Sequence, residues 1–575
     1  MVRAYAYQPA VKDVGTYLYE LAGAARDGVT SAFVDDLLHS TIQKTSSSPE
    51  LRFSLSLLSD IIAAGGTLSL RDSQLFVAWP DWDGESGRVA TKSAMAAAKD
   101  MRPLRPEELA KVAPCFAPEM TGDALARVMA EGKFTLRSSD DRHPTGVSYA
   151  DVFAAGLRYW SMPYRGRTGR LKRFVVTVEH PETGPHPALV GLLELGDEAP
   201  FCLWRDKMLG FSPDEFMSWA QQGGPSRWLA IGERMKRIRS MLNKNDDTRH
   251  FGQLDTDYIY EHRTQLEQEA HGRSLADRKS TVSLKDTKRI TYAVRLARGE
   301  YAMRSAVLSG ILDFSPDVRA GVRAIHDIVI PRVHLEVGIC GAVPPFAQAL
   351  GGKLMIEFFA HPDILRASTQ SESSLLSWSF AMKDLEAELP RTGLLCISTK
   401  GLYANHAPLY ERAEMPGKSR PVKLRHLANT GGQTTSLVSE RTARLAGSVI
   451  AGRDGSNTVS KLYGTGGAKR HRLIEAAVSR SGLPGMIAHA GIHRPVYGAS
   501  FVANAPDVAW FNEAPEWLVD PNVTPVEYDA RAVALWRKRW LARAESRAYD
   551  YALTPSLAHI LMIGNDRKNS DSESD

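Results

Sequence analysis

Apolar and polar positions along this chain follow two rhythms, and the switches between them mark the elements. Residues 49–63 carry Leu51, Leu55, Leu58, Ile61 and Ile62 at helical spacing and stop at Gly65-Gly66, which predicts a helix; 17–38 reads the same way. Thr67-Leu-Ser-Leu-Arg and Ser73-Gln-Leu-Phe-Val-Ala-Trp then look like two short strands of a hairpin, before 87–132 returns to helix. The first 150 residues therefore read as a mostly helical unit with a small hairpin, an order shared by winged-helix DNA-binding units and by many scaffold domains.

Further on, 174–179 and 188–195 are strand-like and are joined by turn chemistry at Pro181-Glu-Thr-Gly-Pro-His-Pro, so an antiparallel hairpin is expected. Residues 201–325 are mainly helical. Within them, 228–242 gathers Ile231, Met235, Ile238, Met241 and Leu242 on one face, a core stripe, with Arg234, Lys236, Arg237 and Arg239 elsewhere. The polar run 247–288 reads as an exposed helix leading into a flexible linker. From Val333 strict alternation puts Val333, Leu335, Val337 and Ile339 on one side of a strand and His334, Glu336, Gly338 and Cys340 on the other. Pro344-Pro345 ends that strand, and a helix is expected over 347–360. A strand at 394–400, a short helix over 403–412 and a strand at 422–427 follow.

These elements make an α/β protein of several units: 1–150, mostly helical; 151–430, a mixed sheet interrupted by a helical insertion at about 201–325; 431–563, helical and basic; and 564–575, a tail whose composition predicts disorder. Trp536 and Trp540, one turn apart, are expected to pin a C-terminal helix to the core.

With 575 residues, 43% hydrophobic and 24% charged, the chain can bury a substantial core. Its 71 basic and 66 acidic residues leave a net charge of +5, too small to name a nucleic-acid partner, so any such reading rests on local patches. The four cysteines, Cys115, Cys202, Cys340 and Cys396, are at least 56 positions apart, which excludes a CxxC ligand pair and a dense disulfide framework. A reduced, cytoplasmic protein is expected, with neither a secretory leader nor a run able to cross a membrane.

Two local patches are basic. Arg158, Arg165, Arg167, Arg170, Lys172 and Arg173 are interleaved with Tyr159, Trp160 and Tyr164 and with no acid, a combination able to grip phosphates and stack bases; a solvated hairpin edge has the same composition. In Tyr463-Gly-Thr-Gly-Gly-Ala-Lys-Arg-His-Arg, Lys469, Arg470 and Arg472 open a helix and could meet a phosphate of DNA or RNA. GxxxxGK[ST] is absent, so ATP hydrolysis is not supported. Acids such as Glu336, Glu357, Asp363 and Asp454 do not declare a metal site by spacing, and none is assigned.

The order of hairpin, strand, glycine turn and helix, strand, helix ending Leu-Tyr-Glu-Arg, and strand resembles the GNAT superfamily of acyltransferases. That resemblance implies a pyrophosphate of acyl-coenzyme A held through a Q/R-x-x-G-x-G/A pattern. Gln348, Gly351 and Gly352 match it in part, with Lys353 where the last small residue would stand. It also implies Asn405, Ala407 and Tyr410 on the second helix, Tyr410 as general acid, with Glu336 or His334 as general base. The 138 positions between Leu195 and Val333 depart from the superfamily, which passes almost directly between those strands.

A closer resemblance spans roughly 150–545. Cys340-Gly-Ala-Val-Pro-Pro-Phe with Leu350-Gly-Gly-Lys-Leu, Leu189-Val-Gly-Leu-Leu-Glu-Leu, Trp204-Arg-Asp-Lys-Met-Leu-Gly-Phe, Ile397-Ser-Thr-Lys-Gly-Leu-Tyr and Trp536-Arg-Lys-Arg-Trp-Leu are similar to the bacterial Druantia anti-phage defence protein A family. That family implies a multi-gene defence system with a helicase-type partner and supplies no established reaction. Three readings stand: a defence component contacting nucleic acid through Arg165, Arg167, Arg170, Arg173, Lys469, Arg470 and Arg472; an acyl-coenzyme A-dependent N-acyltransferase; and a non-catalytic scaffold for the helicase-type partner.

Overall fold

Segments too short or too interrupted to be stable alone are joined by long-range pairing into one seven-stranded sheet, visible in a computed structural model of the chain. The structure describes residues 4–7, 48–64, 66–71, 74–78, 104–160, 171–197, 202–242, 255–266, 268, 281–367, 390, 392–401, 408–430, 438–454, 467–482, 493–549 and 554–561. The helix expected at 17–38, residues 269–280 of the polar run and the tail lie outside them, whereas 281–288, expected as linker, are helical.

In chain order the elements are β1 (Ala4–Tyr7), α1 (Pro49–Ala63), β2 (Thr67–Arg71), β3 (Gln74–Ala78), α2 (Pro106–Val112), α3 (Gly122–Glu131), β4 (Lys133–Ser138), α4 (Tyr149–Gly156), β5 (Leu171–Glu179) and β6 (Ala188–Gly196). Between β6 and β7 come α5 (Leu203–Met208), α6 (Pro213–Gln222), α7 (Gly224–Met241), α8 (Thr256–Glu261), α9 (Thr281–Ser309) and α10 (Pro316–Val333). Then follow β7 (His334–Ala342), α11 (Gly351–Glu357), α12 (Pro362–Arg366), β8 (Cys396–Lys400), α13 (Pro408–Arg412), β9 (Glu414–Met415), β10 (Val422–Lys423) and β11 (Arg425–Asn429). The chain closes with α14 (Glu440–Asp454), α15 (Gly467–Arg480), β12 (Pro495–Ser500), α16 (Ala505–Phe511) and α17 (Pro525–Tyr549).

The large sheet runs β11-β12-β8-β7-β6-β5-β4, antiparallel throughout except for the parallel pair β7 and β8. The protein is therefore of mixed α/β class, as its sequence predicts, with a helical insertion between β6 and β7. Two sheet members lie across the expected unit boundaries: β4 precedes residue 150, and β12, from the stretch expected to be helical, sits between β8 and β11. Inside the insertion, Trp228, Ile231, Met235 and Ile238 are fully buried, as their spacing requires. Gly299 and Gly321 let α9 and α10 touch, since a Cβ on either would come within 2.6 Å of the other's Cα. The last turn of α10 passes directly into β7.

One side of the sheet is covered by α3, α11 and α17 around a core that includes Leu335, Val337, Ile397, Tyr497, Trp536 and Trp540. Trp536 and Trp540 do pin α17, being buried with Ala532, Ala544 and Ala548 at helical spacing along it. At the other end of the chain α1 packs on α14. Asp60 accepts hydrogen bonds from the Thr442 hydroxyl (2.6 Å) and the Ser439 amide (2.8 Å), and Ser56 meets Thr442 at 2.6 Å, which accounts for the burial of Ser56 in α1.

Three expectations are corrected. Alternation along β7 breaks at Gly338, where Leu195 pairs with Val337 and Glu194 with Ile339; the bulge sends Ile339 to the opposite core from Leu335 and Val337 and brings Cys340 to their side. The helix expected over 347–360 begins only at Gly351, because turns occupy the stretch before it and Leu350 takes the left-handed conformation at φ 60°. The strand expected at 422–427 is two, with β10 paired to β9 and β11 to β12.

Candidate active site at the parallel strand pair

β7 and β8 are paired over four positions only, from His334 opposite Cys396 to Val337 opposite Thr399. Beyond them Gly338 bulges out, and β7 continues to Ala342 along β6 alone. Their pairing thus stops one residue before β8 ends at Lys400, and the chain after each strand leads to the residues the sequence singled out. In open sheets with parallel strands, this end is where ligands lodge.

On the side of α11 and α17, Tyr410 of α13 is buried beside Thr399 and Cys340, with its ring 5.1 Å from that of Tyr497. Burial pushes its phenol well above the ordinary value and likewise pushes up the Cys340 thiol, so both stay protonated. The Thr399 hydroxyl donates to the Val337 carbonyl at 3.1 Å, at the last paired position.

The opposite side of the same strands is polar. Lys400 lies 2.9 Å from Glu336, His334 Nε2 is 3.1 Å from the Ser398 hydroxyl, and Trp204 of α5 stands edge-on to His334 at 5.5 Å. Next along the sheet Arg173 meets Glu194, which is 1% exposed, at 3.1 Å. Tyr410 and the pair His334 and Glu336 therefore share the parting strands but occupy opposite faces.

The glycine turn sits at the same end. A Cβ on Gly351 would come 2.8 Å from the Phe346 carbonyl and 2.9 Å from the Ala342 Cβ, whereas Gly352 has nothing within 4 Å. The Gln348 Oε1 is buried without a hydrogen-bond partner among the described residues. Lys353 turns away from the loop to lay its ammonium 3.8 Å from the centre of the Trp540 ring, so it leaves the space above Gly352 open. Burial, followed by Arg412, Arg543, Arg539 and Arg547, lowers its pKa from 10.5 to about 8.

The expected nucleic-acid residues fare differently. Arg165, Arg167 and Arg170 lie outside the described residues, as do the side chains of Lys469 and Arg472. Arg173 is held on the sheet by Glu194 and lies over the Phe153 ring at 5.1 Å. Arg470 is a strut: it bridges Glu440 (2.7 Å) and the carbonyls of Val438 (2.7 Å) and Ser439 (2.8 Å). Trp160, offered by the sequence as a stacking surface, packs on β7 where Gly341 leaves room for it. Asn405 and Ala407 lie outside the described residues.

Sequence reasoning missed Glu194, Ser398, Thr399 and Lys400. Glu194 had a signal, as the one charge in the apolar run 188–195. No helix among the described residues is long and apolar enough to cross a membrane. Comparison with protein families, with curated proteins and with solved structures finds no match.

Proposed function

We propose that this chain is an N-acyltransferase of GNAT type that takes its acyl group from a coenzyme A thioester lying between β7 and β8. The observation that carries this reading is the parallel pairing of β7 and β8, the one such strand pair among the described residues, which ends at Val337 and Thr399 with Tyr410 buried beside Thr399 and the glycine turn following β7. The strand order and the single parallel pair agree with the superfamily resemblance. The pyrophosphate would lie over Gly352 within reach of the Gln348 amide, where a side chain would intrude.

Here the acceptor amine attacks the thioester carbonyl, a C–N bond forms and the C–S bond breaks. Tyr410, kept protonated by burial, supplies the proton to the leaving thiolate. The proton lost by the amine passes to Glu336, with Lys400 placing that carboxylate on the acceptor side. The resemblance to the Druantia protein A family supplies the setting, a cytoplasmic component of a bacterial anti-phage system acting beside a helicase-type partner.

A thermal-shift titration with acetyl-coenzyme A, followed by thiol release in the presence of simple amines and polyamines, tests the reading. A saturable rise in melting temperature with amine-dependent thiol release supports it. No shift at millimolar coenzyme overturns it and leaves the sheet as a scaffold.

A further inference from the structure

Trp536, Trp540, Ala544 and Ala548 turn the apolar stripe of α17 inward, which fixes what the neighbouring stripe shows to solvent. Arg539, Arg543 and Arg547 follow at intervals of four, so they stand about 6 Å apart in a row about 12 Å long. All three are exposed. Glu545, the acid nearest in sequence, falls on the other flank of the helix. Two further cations reach the row from other elements: Lys353 of α11, seated on Trp540, and the exposed Arg412 at the end of α13. Arg539 is paired with Glu414, which also holds Lys423 at 2.9 Å; Arg412, Arg543 and Arg547 have no ion pair or hydrogen bond among the described residues.

Five cations converging from three elements repel one another; Glu414, already shared with Lys423, does not offset them, and burial pushes the nearby Glu357 well above the usual carboxylate range. Such a surface is completed by an anion with several charges in a line. The row lies on the convex flank of a helix rather than in a cavity, and the tryptophans beneath it are buried, so it offers grips for phosphates and no surface on which bases could stack or be read. We propose that Arg412, Arg539, Arg543, Arg547 and Lys353 form a sequence-independent docking site for a nucleic-acid backbone. Guanidinium groups at repeated spacing suit consecutive phosphates, each held by paired N–H donors. The site is distinct from both basic segments that the sequence singled out, and it does not depend on the acyltransfer reading.

The test is fluorescence anisotropy of the full chain with labelled single-stranded DNA, duplex DNA and RNA of about 30 nucleotides, each in two unrelated sequences, between about 50 and 200 mM salt. Binding should be equal for the unrelated sequences and should weaken with salt with a logarithmic slope of about −3 to −4. The double variant Arg543→Gln and Arg547→Gln should bind at least about tenfold more weakly, with the slope shallower by about 2. It should keep the melting temperature, since both side chains are exposed, and it should keep any shift with acetyl-coenzyme A. Lys538→Gln, an exposed cation off the row, should change binding by no more than about the effect of one remote charge. Wild-type affinity in the double variant overturns the proposal. So does displacement of the oligonucleotide by coenzyme A together with loss of the acetyl-coenzyme A shift, which would make the row part of the coenzyme site; equal binding to anionic lipid vesicles would make it a membrane-surface patch. Preference among single strand, duplex and RNA identifies the partner.

Discussion

The ammonium of Lys400 meets the carboxylate of Glu336 at 2.9 Å across the parallel pair of β7 and β8, one residue beyond the last paired position of β8. Glu336 is nearly buried and Lys400 is 22% exposed, so removing either strands a charge that the other cannot shed to solvent. Lys400→Met should cost about 2–3 kcal/mol, and Glu336→Gln a little less, because the amide can still accept a hydrogen bond. The double variant should be more stable than Lys400→Met alone. Denaturant unfolding of the four proteins checks this, and additive losses would show that the pair is not coupled.

Gly351 and Gly352 are adjacent but not equivalent. An added methyl at Gly351 meets the Phe346 carbonyl at 2.8 Å, while at Gly352 it meets nothing within 4 Å. Gly351→Ala should lower the melting temperature, with a cost of about 1–3 kcal/mol, and Gly352→Ala should hold or raise it, by up to about 1 kcal/mol from helix propensity. If a pyrophosphate lies over the turn, Gly352→Ala should weaken the acetyl-coenzyme A shift in a protein that is otherwise as stable as the parent. The opposite ranking in melting temperature would refute the packing argument.

Elements set by local pattern were legible in the sequence. The hairpin of β5 and β6 follows from alternation around turn residues, α1 from apolar spacing and a glycine stop, and the anchoring of α17 from two tryptophans one turn apart. What depends on distant partners was not. Pro495-Val-Tyr-Gly-Ala-Ser carries little strand signal, and its place between β8 and β11 comes from pairing on both edges. Gly338 looks like one more polar-face position until β6 sets a register that bulges it out. Arg173 counts as a free cation until Glu194, 21 residues on, lies opposite. The run Trp536-Arg-Lys-Arg-Trp shows its bases, but the cations that turn them into a site come from α11 and α13, far away in the chain.

Tyr410→Phe separates chemistry from structure. The ring contact with Tyr497 survives, so stability should fall by no more than about 1 kcal/mol, while kcat for acyl transfer should fall about 100-fold and the KM for the coenzyme should hold. Because burial raises the phenol pKa, the wild-type rate should show no decline from Tyr410 ionisation at or below its ordinary value of 10.0. A descending limb near that value that vanishes in the variant would place Tyr410 in water rather than in the core.

Lys353 gives the basic row a signature in pH. Its ammonium is disfavoured first by burial and then by Arg412, Arg543, Arg539 and Arg547; Glu414 is committed to Lys423 and Arg539, and Glu357, one turn on, is itself pushed well up by burial and offers little countercharge. With the folded pKa near 8 and the ordinary value at 10.5, the unfolded chain holds more protons across that interval. Stability should therefore rise with pH from about 8 to 10.5, the penalty being fully present below about 8, and Lys353→Met should flatten the rise. A polyanion on the row favours the charged ammonium, so binding near pH 8 should take up a proton. Calorimetry in two buffers of different ionisation enthalpy reads that uptake directly. Its presence in the wild type and absence in Lys353→Met would tie the ligand to this lysine, and equal uptake in both proteins would place the ligand elsewhere.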